Sequence, residues 1–376
     1  MEIRRIDRDA AAKAAGGAAN FLQSVFWADF KGRFDWKPYF FEADIQTGAS
    51  ANIQSEISGA AAVSVMVLWR NAAPRLSFAY IPWGPAFPVP DLITEFAAGL
   101  RAFLPRETAF LRIDPPWYSE GAAASAPALP TPWKKAAVDV QPPDTVIVSL
   151  QDEPEAILAR MKSKWRYNVR LGCRKVNVRL AASSAAWHAV KDGADVRREL
   201  QTFYKLLKET AARDGIAVHS FEYYETLFAT ANAAFAAANA ANGRGSMPSV
   251  EIRLYLAEFE AAAIAGIVTL FYGTEAVYLY GASSNSHRDL MATYALQWQA
   301  IQDAKAAGCL TYDLFGIPPN DNPAHPMAGL YRFKTGFGGS IIHRPGAWDY
   351  AYKPLLRAAF NMAELARKKL RDRKKR

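Results

Sequence analysis

Cysteine and histidine are scarce in this chain. Among its 376 residues are two cysteines, Cys173 and Cys309, and five histidines. The histidines stand at 188, 219, 287, 325 and 343, and none neighbours another His or a Cys at ligand spacing, so no metal site is expected. Neither cysteine sits in a nucleophile elbow. Glycine-rich phosphate loops are also missing: there is no G-x-S-x-G, P-loop or G-x-G-x-x-G. No cofactor is expected. Long apolar runs are absent as well, with no stretch of about 20 uncharged apolar residues and no apolar leader after Met1. The expectation is a soluble protein of a reducing cytoplasm. What remains is ordinary globular material, 51% hydrophobic and 22% charged, in a chain long enough to split into more than one core.

Positive charge is abundant but confined. The formal net charge is +9, yet Arg367 to Arg376 alone carry +7 and Arg160 to Arg179 carry +8, which leaves a body of −6. Such segments attract polyanions: nucleic acid, phosphates or an anionic leaflet. The bland alternative for the tail is a solvated helix end, where basic residues suit the helix dipole. From Pro154 the pattern predicts one helix running through the basic segment. Lys162, Arg166, Arg170 and Arg174 recur every four residues and line one face, beside an apolar stripe of Ile157, Met161, Trp165 and Val169. Like charges at that spacing repel, and a phosphate-rich partner relieves them.

Element order repeats. Around Ala61–Ile81 and again around Val250–Tyr280 the chain reads strand, turn, strand, followed by a loop, a helix and a short strand with an aspartate. Tyr80 to Asp114 spans 34 positions and Tyr280 to Asp313 spans 33. This points to a duplicated α/β unit with mixed sheets. Further helices are predicted over Val196–Ala212 and Phe221–Ala241, a loop over Asn242–Pro248, and an Ala/Pro-rich surface excursion over Ser119–Pro143. Alternation along the strand after Phe271 places Tyr278 and Tyr280 on one face. The run GLYRFKTGFGG, with Phe333 and Lys334, packs glycines that permit close backbone approach to a ligand.

Six stretches, in order and spanning nearly the whole chain, resemble the FemABX family of non-ribosomal peptidyltransferases that build peptidoglycan cross-bridges. They are QSVFWADFKGRFDW, RIDPPW, MKSKWRYNVR, ETAARDGIAVHSFEYY, the long run from YLYGASS to LTYDLFGI, and GLYRFKTGFGG. The resemblance implies a tandem duplication of a GCN5-related acetyltransferase (GNAT)-like domain, of the smaller, armless FemX-like kind. It puts residues 1–150 with about 346–376 in a first, acceptor-binding domain, and residues 151–345 in a second, aminoacyl-tRNA-side domain. It implies aminoacyl-tRNA as donor and lipid II or UDP-MurNAc-pentapeptide as acceptor.

Roles follow from the same resemblance. Lys31 and Arg213 match the residues that hold precursor phosphate. Lys334 matches the lysine near the donor ester and Asp114 an acidic residue near the acceptor peptide, giving these two catalytic roles. Tyr278, Tyr280 and Phe333 would bind substrate. Lys162, Arg166, Arg170 and Arg174 would meet the tRNA, and Arg367–Arg376 either tRNA or an anionic membrane surface. Two other readings fit the residues less fully. One is an N-acyltransferase using aminoacyl-tRNA or acyl-CoA on a non-peptidoglycan acceptor. The other is a non-catalytic RNA-binding protein, which explains the charge alone.

Overall fold

A computed structural model of the chain describes residues 1–14, 20–46, 60–87, 89–121, 128–185, 194–240 and 250–374. The predicted loop Asn242–Pro248 and part of the Ser119–Pro143 excursion lie outside these residues. The chain divides into two compact units. One comprises Met1–Ser119, Ala124–Pro143 and His343–Arg376, and the other Glu120–Ala123 and Asp144–Ile342.

In chain order the elements begin with β1 (Glu2–Ile6), α1 (Arg8–Ala14), α2 (Val25–Gly32), β2 (Lys37–Gln46), β3 (Ala60–Ala73), β4 (Leu76–Ile81), α3 (Pro90–Leu100), β5 (Thr108–Ile113), β6 (Ser119–Glu120) and β7 (Lys134–Lys135). Next come β8 (Asp144–Ser149), α4 (Pro154–Arg160), α5 (Ser163–Lys175), β9 (Asn177–Ser183), α6 (Ala194–Asp214), α7 (Phe221–Ala240), β10 (Val250–Phe259), β11 (Ala262–Tyr272) and β12 (Glu275–Ser283). The remainder is α8 (Ala292–Ala306), β13 (Thr311–Asp313), α9 (Ala328–Thr335), β14 (Ser340–His343), β15 (Trp348–Ala351) and α10 (Pro354–Lys374).

Each unit is built on one mixed sheet. In the first the strand order is β1-β2-β3-β4-β5-β15-β7. The meander β1 to β4 is antiparallel, β5 lies parallel to β4, and β15 runs antiparallel to β5. Period-2 patterning decides what each face meets. Tyr39, Phe41, Ala43 and Ile45 alternate along β2 into a core with Ile93, Phe96 and Leu100 of α3. On β4 and β5, Phe78 and Phe110 meet the Phe360 ring of α10 at 5.4 and 5.1 Å.

The second sheet has the order β6-β14-β8-β13-β12-β11-β10-β9. It repeats the plan: β9 to β12 form an antiparallel meander, β13 lies parallel to β12, and β8 runs antiparallel to β13. A crossover helix, α3 or α8, precedes each parallel strand, as parallel pairing requires. The fold class is therefore the expected one, a duplicated α/β unit with mixed sheets. The copies differ in where the strand beside β5 or β13 originates. Unit two takes β8, which precedes its meander, and unit one takes β15, from beyond all of unit two.

One predicted element is corrected. The helix from Pro154 does not run on through the basic segment. Met161 and Lys162 are extended, with ψ of 152° and 146°, so α4 ends and α5 begins anew. The Lys162 N–H donates to the carbonyl of Gly336 at 3.0 Å. Arg166 Nη1 donates back to the Ala159 carbonyl at 3.2 Å, satisfying an orphan acceptor at the end of α4.

Candidate functional site

Lys334 is the most unusual charge in the second unit. It lies on α9, 5% exposed. Its Nζ donates to the carbonyls of Phe315 and Gly316 at 2.8 and 3.0 Å. The Tyr278 ring lies 5.1 Å from the same nitrogen. Burial pulls the Lys334 ammonium down to about 7, against the opposing charge of Asp313. A group balanced there carries a proton or releases it near neutrality.

Asp313 ends β13 and is fully buried. Its Oδ1 accepts from the Thr145 hydroxyl and from the Phe315 N–H, the latter at 2.7 Å. Its Oδ2 has no hydrogen-bond partner among the described residues. The same carboxylate thus fixes the Phe315 turn, left-handed at φ 57°, whose carbonyl holds Lys334. Asp313 was not a sequence candidate for the site. Its signal was the match of its place in the repeat to that of Asp114.

The aromatic ring system around α9 ties the site to the basic helix. Phe333 packs on Tyr294 and Phe337, with ring centroids 5.1 Å away in each case. Trp165 of α5 donates its Nε1 hydrogen to the Phe333 carbonyl at 2.8 Å and sets its ring edge-on to Tyr294. Any Cβ at Gly336 would collide with that indole. This glycine therefore serves the packing of α5 against α9, where close approach to a ligand was expected.

On α5 the basic residues divide by surroundings. Lys162, Arg170 and Arg174 are exposed, and Arg166 is half-buried against the end of α4. At the ends of the basic segment, Arg160 pairs with Asp152, and Arg179 with Glu199 and Glu258. The charge available to a partner is thus concentrated on α5 and its N-cap. A cleft of about 330 Å³ lies beside Glu155, Leu158, Arg166 and Arg170.

Tyr278 and Tyr280 do not share a face. Tyr280 opposes Val268 and Tyr278 opposes the adjacent Thr269, so a β-bulge at Leu279 breaks the alternation. Tyr278 faces Lys334 and lies along Gly281. Tyr280 faces the α7 side, 5.1 Å from the Tyr224 ring, with its hydroxyl donating to that of Tyr223 at 3.4 Å. Arg213, at the end of α6, grips Asp214 with two nitrogens and donates to the Ser283 carbonyl at 2.9 Å. A phosphate there competes with Asp214.

In the first unit Asp114 follows β5 and is 2% exposed. Tyr80 donates its hydroxyl to Oδ2, while Oδ1 has no partner among the described residues. Burial pushes the Asp114 carboxyl up to about 7, the Tyr80 bond opposing. Lys31, at the end of α2, rests over the rings of Trp27 and Phe30 at 5.5 and 5.8 Å. Burial, then the nearby Arg70 charge, lowers it to about 8. Arg70 and Lys37 line a cleft of about 420 Å³ with Asp35, Trp36 and Trp69. The Lys31 and Arg70 charges oppose each other, and an anion beside them would relieve that.

Among the described residues, no group of three or more His, Cys, Asp or Glu is placed to hold a metal ion, and no helix is long and apolar enough to cross a membrane.

Two duplicated mixed sheets define a tandem α/β protein with the fold of FemX. The crystal structure of FemX superposes at a TM-score of 0.69 with 17% identity, covering 96% of this chain and all of that one. The C-terminal domain of a putative lysylphosphatidylglycerol synthetase from Agrobacterium fabrum superposes at 0.51 with 12% identity, over 96% of this chain and 97% of that one. A profile of the FemAB family matches residues 132–239 and 254–365. The chain belongs to the FemAB family. Among curated relatives, the lipid II:glycine glycyltransferase of Staphylococcus haemolyticus is 33% identical over 87 residues, 23% of this chain and 21% of the relative. That of Staphylococcus aureus is 32% identical over 91 residues, 24% and 22% of the two chains. The matched stretch spans about a fifth of these relatives.

Proposed function

We propose that this protein moves an amino acid from aminoacyl-tRNA to the side-chain amine of a peptidoglycan precursor's stem peptide. The observation that carries this reading is Lys334, a buried cation held on two backbone carbonyls in a chain of the FemAB family. The acceptor amine attacks the ester carbonyl of the charged tRNA. A C–N bond forms, the ester C–O bond breaks, and the ribose oxygen leaves with a proton while the amine loses one. Ester becomes amide, so no ATP is consumed. The protein's part is positioning and charge stabilisation.

In this reading Lys334 offsets the developing oxyanion or the departing ribose oxygen. Asp114, raised to about 7 by burial, is a better base than an ordinary carboxylate and is one candidate for the amine proton, with substrate or water the others. Lys31 and Arg213 hold precursor phosphate. Tyr278 lies over the lysine and Phe333 packs beside it on Tyr294 and Phe337, Tyr280 belongs to the opposite face of β12, and Lys162, Arg166, Arg170 and Arg174 meet the tRNA acceptor arm. The names of the glycyltransferase relatives favour lipid II as the precursor.

One reaction tests this. The protein is incubated with tRNA charged from a full amino-acid pool and with lipid II and UDP-linked muropeptide, and products are read by mass spectrometry. The expected result is a gain of one residue on a precursor, lost on RNase treatment. Charged-tRNA binding without gain on either precursor sinks the acceptor half. Transfer that persists after RNase and requires acyl-CoA sinks the donor half.

A further inference from the structure

α10 is built inside out. Its inward positions carry ions on either side of the buried Phe360. Arg357 donates to Asp349 at 3.0 Å, and Glu364 accepts two hydrogen bonds from the buried Arg112 at 2.9 Å each. Arg112 in turn grips Asp349 with two nitrogens, at 2.7 and 3.1 Å. Its outward positions are apolar. Between Leu355 and Ala366 every exposed residue is Leu, Ala or Met: Leu355, Ala358, Ala359, Met362, Leu365 and Ala366. Leu355 is 87% exposed and Met362 65%. Steps of three and four residues keep these side chains on one stripe, about 16 Å long at 1.5 Å per residue.

Basic residues begin where the stripe ends. Arg367, Lys368 and Lys369 are exposed, and Leu370 beside them is 59% exposed. The only acid between Pro354 and Leu370 is Glu364, turned inward onto Arg112. The ion network explains how the outward face stays so apolar. Arg112, Asp349, Arg357 and Glu364 anchor the helix from within, so its outer surface is free to be greasy. Nucleic acid would match the cations and leave Leu355 and Met362 in water. An anionic lipid surface satisfies both halves, with headgroups for the cations and the acyl boundary for the stripe.

We propose that α10 is a membrane-surface helix, its Leu355–Leu365 face dipping into an anionic bilayer and Arg367–Lys369 lying on the headgroups. This stands apart from the transfer reaction and assigns the basic tail to lipid.

The test is flotation of the full chain with vesicles of phosphatidylcholine alone or of equimolar phosphatidylcholine and phosphatidylglycerol. The wild type is expected to float with the mixed vesicles and stay behind with the neutral ones. Replacing Leu355, Met362 and Leu365 by Gln should cut partitioning at least about tenfold, and replacing Arg367, Lys368 and Lys369 by Gln should do the same. Because all six side chains are exposed, melting temperatures should stay at the wild-type value. Undiminished flotation of the apolar variant reduces the effect to charge and overturns the proposal, as does a wild type that never floats. A concentration-dependent dimer abolished by the apolar variant, without any flotation, assigns the stripe to a second copy instead. Transfer assayed on a nucleotide-linked precursor needs no bilayer, so lost flotation with intact transfer leaves the proposed reaction standing.

Discussion

The two units finish their parallel strand in the same way and surround its end differently. β5 leads into Asp114 and β13 ends on Asp313, both buried, each with one carboxylate oxygen lacking a hydrogen-bond partner among the described residues. Beside Asp114 stands a neutral donor, Tyr80. Beside Asp313 stand Thr145, the Phe315 N–H and the charge of Lys334. In unit one desolvation wins and the carboxyl holds its proton up to about 7. In unit two it is the lysine that gives way, down to about 7. Two equivalent aspartates thus stand in opposite surroundings: in one copy the acid itself is made basic, and in the other the lysine beside it is made acidic.

The largest break in that comparison comes from Lys334→Met. Transfer should fall about 10²–10³-fold, the scale of losing one preorganised charge at a reacting oxygen. The variant should also be more stable than the wild type at low pH. Unfolded, Lys334 titrates at 10.5, and folded at about 7, so the native chain holds fewer protons between those values and wild-type stability rises with pH across them. The gain from removing the buried charge is full below pH 7 and fades toward 10.5. Melting curves from pH 5 to 10 check this, and a gain that grows with pH defeats it.

Asp313→Asn comes second. It removes the charge that supports the Lys334 proton, so the lysine limb of the pH–rate profile should move to lower pH and the rate at pH 7 drop about tenfold. A purely structural aspartate would lower the melting temperature and leave the limb in place.

Asp114→Asn reverses the sign. The native carboxyl holds its proton between 3.8 and about 7 where the unfolded one does not, so it makes wild-type stability fall with pH across that window. The substitution should stabilise on the order of 2–4 kcal/mol above pH 7 and nothing below about pH 4. Equal melting temperatures at pH 4 and 8, relative to wild type, remove the contrast with unit two.

The smallest effect is expected at Arg170 and Arg174. Changing both to Gln should leave stability within about 0.5 kcal/mol and reduce the salt slope of tRNA binding by about two. An unchanged slope takes α5 out of the tRNA surface.

Much of this architecture was legible in the sequence, because a period-2 pattern and a repeated element order survive single-residue variation. The failures were local and backbone-driven. Ile157, Met161, Trp165 and Val169 keep their four-residue spacing straight through a break at Met161 and Lys162 that no Pro or Gly announces, where the Lys162 N–H bonds to Gly336, 174 positions away. The bulge at Leu279 is equally silent, and it moves Tyr280 to the other side of the sheet. Arg112 stands alone among apolar residues in TAFLRI, a charge in a buried strand, yet nothing nearby names Asp349 and Glu364 as its partners. Asp313 was visible only as the counterpart of Asp114. Spacing identifies Lys334 as a cation among aromatics, and only the fold shows what holds it.

The provenance of β15 bears on how the chain is made. The first unit cannot complete its sheet, or cover Arg112, until Trp348–Ala351 and α10 have emerged from the ribosome. The second unit, whose strands all lie between Glu120 and His343 apart from Ser119, is complete before then. Synthesis order and folding order are therefore inverted: the unit begun second closes first, and the unit begun first waits for the last residues. In the interval β5 presents an open edge beside an uncompensated guanidinium, the state most exposed to proteases and chaperones.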